Sequence, residues 1–203
     1  MTWETTVKGL NRDLLAEVSH DRRAKVLSMA VNTVARDARV MLARDVREQV
    51  KLPARAVSPT GKRLYVAQKA SPGRPEAIIR ASGRATSLAQ YTSGPKTRNA
   101  RGAIVEVKPG HARLMRKAFY LRLPAGGGEV DTKYNLALAV RLRPGEALRR
   151  KSTARRVASG LYVLYGPSVD QIFRAADGSG LIEDRSPTIA DQLEAQIVRL
   201  LGL

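Results

Sequence analysis

The densest reactive chemistry in the chain is cationic. Arg141, Arg143, Arg149, Arg150, Lys151, Arg155 and Arg156 stand within sixteen consecutive positions, with Glu146 as the one acid among them. Guanidinium and ammonium groups at this density neutralise phosphates and release their counterions, or they meet the carboxylates of an acidic protein neighbour. Sequence alone leaves both partners open. Arg36, Arg39 and Arg47 join this polyanion or partner-contact set from an upstream segment. No groove-reading motif accompanies these cations, and aromatic rings do not alternate with them as they do on single-strand platforms. Any nucleic-acid contact made here is therefore directed at the backbone and indifferent to base sequence.

The other reactive side chains are scattered. His20 and His111 lack partners at metal-ligand spacing, and the acids occur singly. The chain has no Cys, which excludes disulfides and thiolate metal sites. No Gly-x-x-x-x-Gly-Lys-Ser/Thr phosphate cradle is present. Gly166-Pro167-Ser168 comes near a Gly-x-Ser-x-Gly nucleophile elbow, yet Ser168 and Gln171 have the spacing of a helix capping box. Gly166, Pro167 and Ser168 thus read as structural, a turn into a helix. The expectation is a protein that is not an enzyme and uses no cofactor or metal.

Composition agrees with a binding role. In 203 residues, 36 Lys and Arg face 18 Asp and Glu, a net charge of +18 that favours polyanions or acidic proteins as partners. The 43% apolar fraction suffices for a core, and with aromatics at 4% that core must come from Val, Leu, Ile and Ala. No run approaches the roughly 20 apolar residues that span a bilayer, and the N-terminus has no secretory signal. The expectation is a soluble protein that stays in the cytoplasm where it is made.

The elements that must hold these residues follow from periodicity. Ser19 to Val50 predicts one long amphipathic helix, ended by Pro53. Leu27, Val31, Val34, Ala38 and Met41 stripe its inner face, widened by Ala30, Ala35 and Leu42. Arg22, Lys25, Arg36, Arg39 and Arg47 lie opposite, either as a solvated back or as a contact face. Before it, Thr5 to Lys8 reads as a strand and Asn11 to Val18 as a short helix. Strands are expected at 61–70, 76–82, 103–108, 117–123 and 134–142, with a further apolar run at 161–165. Gly83 to Arg101 is a loop anchored around Leu88 and Tyr91, or a mobile arm. Gly126-Gly127-Gly128 makes a flexible hairpin connection. Ser168 opens a helix to about Ala176, and Ser186 caps a last one, with Pro187 at its first position and Ile189, Leu193, Ile197 and Leu200 as its stripe. That last helix either packs in the core or docks on a neighbouring subunit. The pattern is α+β: a long N-terminal helix on a mainly antiparallel sheet, with a C-terminal helix. Residues 1–176 read as a single domain carrying a basic loop at 141–156, and 177–203 as a linker and helix.

Several short stretches together resemble bacteriophage tail completion proteins of the minor tail protein Z type, related to the neck proteins of tailed phages. They are Val7-Lys8-Gly9-Leu10, Ala30-Val31-Asn32, Lys62-Arg63-Leu64, Gly102-Ala103-Ile104-Val105-Glu106-Val107, Lys117-Ala118-Phe119 and, most specific, Leu161-Tyr162-Val163-Leu164-Tyr165-Gly166-Pro167-Ser168-Val169. The likeness runs from about Val7 to Phe173. It departs at Gly126 to Arg143, which lacks an Arg-terminated hairpin, and at Arg143 to Arg156, which is unusually basic. The resemblance implies a structural virion protein assembled in the host cytoplasm. It would act at the head-proximal end of the tail, as a homo-oligomeric ring touching tail tube, terminator and connector proteins. A basic collar or lumen loop would contact packaged DNA or acidic neighbouring rings.

Overall fold

Helix α1 (His20–Gln49) is the longest element of the computed structural model, which describes residues 19–94, 102–123, 136–148, 153–177 and 181–202. The expected strand at 5–8, the short helix at 11–18 and the Gly126-Gly127-Gly128 connection lie outside the described residues. So do Arg149, Arg150 and Lys151. The chain forms two compact units, one of Met1–Val46, Ala54–Gly83 and Asp170–Leu203, the other of Arg47–Pro53 and Arg84–Val169.

In the first unit α1 buries Val26, Ala30 and Val34, spaced four apart on one face, against Leu193 and Ile197 of the C-terminal helix α3 (Leu181–Leu201). Leu27, Val31, Ile189, Leu200 and Leu201 close the rim of this cluster. The C-terminal helix is therefore a packing element of its own unit. It starts ahead of the expected Ser186 cap and carries Pro187 inside. Proline is free of penalty only in the first turn; deeper in, it forgoes one ladder hydrogen bond. Two residues earlier, Arg185 grips Asp45 of α1 with Nη2 at 2.9 Å from Oδ1 and Nε at 3.4 Å from Oδ2.

Another face of α1 fixes an antiparallel hairpin, β1 (Leu64–Gln68) and β2 (Ile78–Ala81), in the register Leu64↔Ala81 to Val66↔Ile79. Asn32 clamps the hairpin loop in both directions, its Nδ2 donating to the Ala70 carbonyl and its Oδ1 accepting from the Ala70 N–H, each at 2.9 Å. Helix α2 (Val169–Asp177) follows Ser168 as the capping-box spacing predicts, and its Asp170 N–H donates to the Ser82 carbonyl at 3.2 Å.

The second unit is antiparallel sheet. A five-stranded sheet takes the order β3 (Thr86–Ser87), β10 (Leu161–Gly166), β8 (Leu136–Arg141), β7 (Ala118–Arg122), with β9 (Ala154–Ala158) also on β10. A three-stranded sheet takes the order β4 (Thr92–Ser93), β5 (Ala103–Val105), β6 (Arg113–Met115). The alternation expected at 117–123 holds, with Ala118 and Tyr120 buried. β8 has both edges paired, to β7 and β10, and both faces buried, with Ala137 and Ala139 on one and Leu138 and Val140 on the other. The anchor expected in the loop after Gly83 is Tyr91, 1% exposed, with Ala89 beside it and Leu88 half-buried.

Candidate polyanion and partner interface

The basic segment is not all loop. Its last residues form β9, whose register on β10 sets Arg155 opposite Val163 and Arg156 opposite Tyr162. Across the other side of β10, Arg141 stands opposite Leu161. Successive strand residues alternate faces, so Arg141 and Arg155 share one face of the sheet while Arg156 takes the other. All three are exposed. β9 has no neighbour on its outer edge among the described residues, so its main-chain groups and both guanidinium groups stand at a sheet margin.

Arg143 opens a turn through Pro144 and Gly145, whose φ of +83° suits glycine. Glu146 closes it, donating its N–H to the Arg143 carbonyl at 3.0 Å and accepting from the Arg143 N–H at 3.1 Å. The Lys117 ammonium also donates to Glu146 at 2.6 Å. That hydrogen bond, followed by the Arg143 N–H, holds the Glu146 carboxyl below its ordinary pKa. The acid of this segment is thus committed to the turn and to Lys117, with a weaker charge attraction from Arg143, leaving the guanidinium groups of Arg141, Arg155 and Arg156 without a carboxylate partner among the described residues.

The upstream cations divide. Arg36 is exposed and lies along its own helix, its Nε 3.3 Å from the Asn32 carbonyl and its Nη2 3.3 Å from Thr33 Oγ1. Arg47 belongs to the second unit, exposed, with Nε 3.3 Å from the Leu52 carbonyl. Arg39 does not belong on the basic face. It is 9% exposed, and its Nη1 donates to the carbonyls of Val57 at 2.9 Å and Leu64 at 3.3 Å. The first turn after Pro53 and the start of β1 present these carbonyls to the helix, so Arg39 is a brace and cannot reach a polyanion. Sequence reasoning also missed the Asp45–Arg185 pair, whose partners are 140 positions apart.

His20 lies exposed at the start of α1 and His111 in the turn after Lys108, whose carbonyl accepts its N–H at 3.1 Å. Among the described residues no helix is long and apolar enough to cross a membrane. The family description prophage minor tail protein Z (GPZ) matches residues 7–203, nearly the whole chain.

The chain belongs to the prophage minor tail protein Z family. It is therefore a structural minor protein of a phage tail, part of the virion. No curated protein and no solved structure matches it.

The stretches that carried the resemblance to minor tail protein Z do structural work in this fold. Asn32 clamps the β1–β2 loop. Glu106 accepts from Lys51 Nζ and from the Gly110 N–H at 2.9 Å, which pins the chain after α1 to the turn after β5. The Lys51 N–H adds a bond of 2.9 Å to the Val107 carbonyl. In Tyr165-Gly166-Pro167-Ser168-Val169, Gly166 lies under the Tyr91 ring, whose hydroxyl donates to the Pro167 carbonyl at 3.0 Å.

Proposed function

We propose that this protein completes the head-proximal end of the tail and takes part in joining the finished tail to the filled capsid. The observation that carries this reading is the family match across residues 7–203. The cationic margin of the five-stranded sheet supports it, because a neck assembly brings protein rings and packaged DNA together. Copies form a closed ring through heterologous contacts, and Arg141, Arg143, Arg155 and Arg156 face an acidic neighbouring ring or the DNA backbone. Tail tube, terminator and connector proteins are the neighbours. Deletion of the gene from the prophage tests this: induced cells should release heads and tails that form but remain apart. Infectious, joined particles from the deletion strain would refute it. A role as the tail terminator itself predicts cross-links to the major tube protein in place of the connector.

A second reading is favoured by the exposed arginines at the sheet margin, namely a free nucleic-acid-binding protein without sequence preference. It requires that purified protein hold duplex DNA at physiological salt with a steep salt dependence. Substitution of Arg141, Arg143, Arg155 and Arg156 by Ala should then flatten the log–log salt slope by about 0.9 for each phosphate that is no longer neutralised. Binding that is already lost by about 0.1 M salt would mark generic charge attraction and set this reading aside.

A further inference from the structure

The two long helices of the first unit pack on each other, and each keeps an open face. Leu193 and Ile197 of α3 meet Val26, Ala30 and Val34 of α1. Turned away from that cluster on α3 stand Asp191, Glu194, Ala195 and Val198, whose spacing of three, four and seven from Asp191 makes one helix row. The first three are exposed and Val198 is half-buried. A shallow depression follows the row, lined by these four residues and Arg199. Neither carboxylate has a cation partner among the described residues. The sequence here is acidic: Asp177, Glu183, Asp184, Asp191 and Glu194 face one cation, Arg185, and Arg185 is held by Asp45. In a chain of net charge +18 this is a local reversal of sign.

The open face of α1 has the opposite sign. Arg22, Lys25, Met29, Arg36 and Val40 follow one another at intervals of three, four, seven and four, so they too form a row, and all five are exposed. Its cations have no carboxylate partner among the described residues; Arg36 lies back on Asn32 and Thr33 of its own helix. Met29, 47% exposed, adjoins the fully buried Ala30, so about 100° of rotation about the axis separates the row from the residues that meet α3. The two rows therefore cannot meet within one chain. Between chains they match: cations face carboxylates, and Met29 is a flexible apolar chain opposite the small Ala195 and the half-buried Val198. An apolar centre with a charged rim is the anatomy of a protein–protein contact. A phosphate backbone would pair the cations but leave Met29 and Val40 in water, and Asp191 and Glu194 would repel it.

We propose that Arg22, Lys25, Met29 and Arg36 on α1 of one copy seat on Asp191, Glu194, Ala195 and Val198 on α3 of a second copy. The proposal rests on the ring of copies proposed above and names its head-to-tail contact. The chain has no Cys, so introduced thiols report on this contact alone. A prophage lacking its own copy is complemented with M29C/A195C, and purified particles are treated with a short bis-maleimide. The chain should then run as a ladder of multiples. M29C alone and A195C alone should stay at the mass of one chain, because a heterologous contact joins two different patches. D191R/E194R and R22E/R36E change only exposed sites and should keep their thermal midpoints within about 2 °C. Each should lose about tenfold or more of its particle-bound amount, since like charges then face each other. Expressed together they should recover most of it, because each meets the opposite sign on the other.

The contact is overturned if M29C/A195C stays at the mass of one chain, if a single-cysteine chain cross-links as well as the double, or if the charge-reversed chains enter particles separately like the unaltered one. If a charge-reversed chain unfolds, the cysteine ladder decides in the same terms. Particles that hold several copies and give no ladder sink only this contact. A single copy per particle sinks the ring on which it rests, and absence of the unaltered chain from particles sinks the tail-component reading itself.

Discussion

Gly166→Ala is the sharpest probe of how the Tyr-Gly-Pro-Ser-Val stretch works. A Cβ built at Gly166 falls 2.6 Å from Cε2 and 3.0 Å from Cδ2 of Tyr91, where ordinary contact begins near 3.4 Å. The ring cannot swing away, since Tyr91 is 1% exposed and its hydroxyl is tied to the Pro167 carbonyl at 3.0 Å. One methyl group must therefore displace a packed aromatic by most of an ångström, and overpacking of that kind costs about 1–3 kcal/mol. For a chain of this length that lowers the thermal midpoint by roughly 2–12 °C. The clash is specific to the ring, so a double-mutant cycle isolates it. Tyr91→Leu alone loses packing and leaves the Pro167 carbonyl without its donor. In the Tyr91→Leu background, however, Gly166→Ala should cost less than half of what it costs in the unaltered chain. Thermal and urea unfolding of the four proteins give the coupling. If the two substitutions add within about 0.5 kcal/mol, Tyr91 is not what forbids a side chain at 166, and the account of this stretch is wrong.

The arginine braces and the carboxylate clamp give three further expectations. Arg39→Ala strips the donor from two carbonyls and should lower stability by about 1–3 kcal/mol, whereas Arg36→Ala, on the exposed side of the same helix, should stay within about 0.5 kcal/mol in urea unfolding. At the Asp45–Arg185 pair the carboxylate is buried and the guanidinium is half in water. Arg185→Met, which leaves the carboxylate buried and unpaired, should therefore destabilise more than Asp45→Asn, toward the low end of about 3–5 kcal/mol; the reverse order would mean the pair is solvated. The Lys51 hydrogen bond, then the Gly110 N–H, lower the Glu106 pKa. Its stabilising contribution is present above the unfolded carboxylate value of about 4.3 and is lost as pH falls through the lower folded value. Glu106→Gln should remove that part of the acid-side loss of stability, measured as thermal midpoint against pH.

What sequence reveals here depends on whether burial leaves a period. Alternation at 103–105 and 118–122 is written in the residues because each strand has one dry face. β9 shows no such alternation, since four of its five residues are exposed. Its strand conformation is imposed by pairing with the apolar β10 alone, and Ala-Arg-Arg-Val-Ala reads as loop. Arg39 misled for a related reason. It lies one turn beyond Ala35, at the border of the buried arc, and the segment after Pro53 folds back over that border. The long stem of Arg39 then carries its guanidinium across apolar surface to two carbonyls, a contact set by residues 18 and 25 positions away. The Lys51–Glu106 clamp spans 55 positions, and a side chain that closes such a distance leaves no local mark.

The same distinction bears on the net charge. A sum of +18 treats all cations alike, but here they fall into two populations. Arg39, Arg185, Lys51 and Lys117 hold carbonyls or carboxylates inside their own units. Arg113, Arg116, Arg141, Arg155 and Arg156 are exposed and have no carboxylate partner among the described residues, and Arg143, also exposed, has only a charge attraction to Glu146. Alanine substitutions should separate them on two independent axes. The first group should lower the unfolding midpoint while leaving the salt sensitivity of partner binding unchanged, because their charges are already matched internally. The second should leave the midpoint within about 2–4 °C and instead weaken binding most at low ionic strength, where a rim charge acts through its long-range field. A graded continuum, in which loss of stability and loss of salt-dependent binding track each other across all ten positions, would mean that the cations serve one diffuse electrostatic role and that the division into braces and contacts is false.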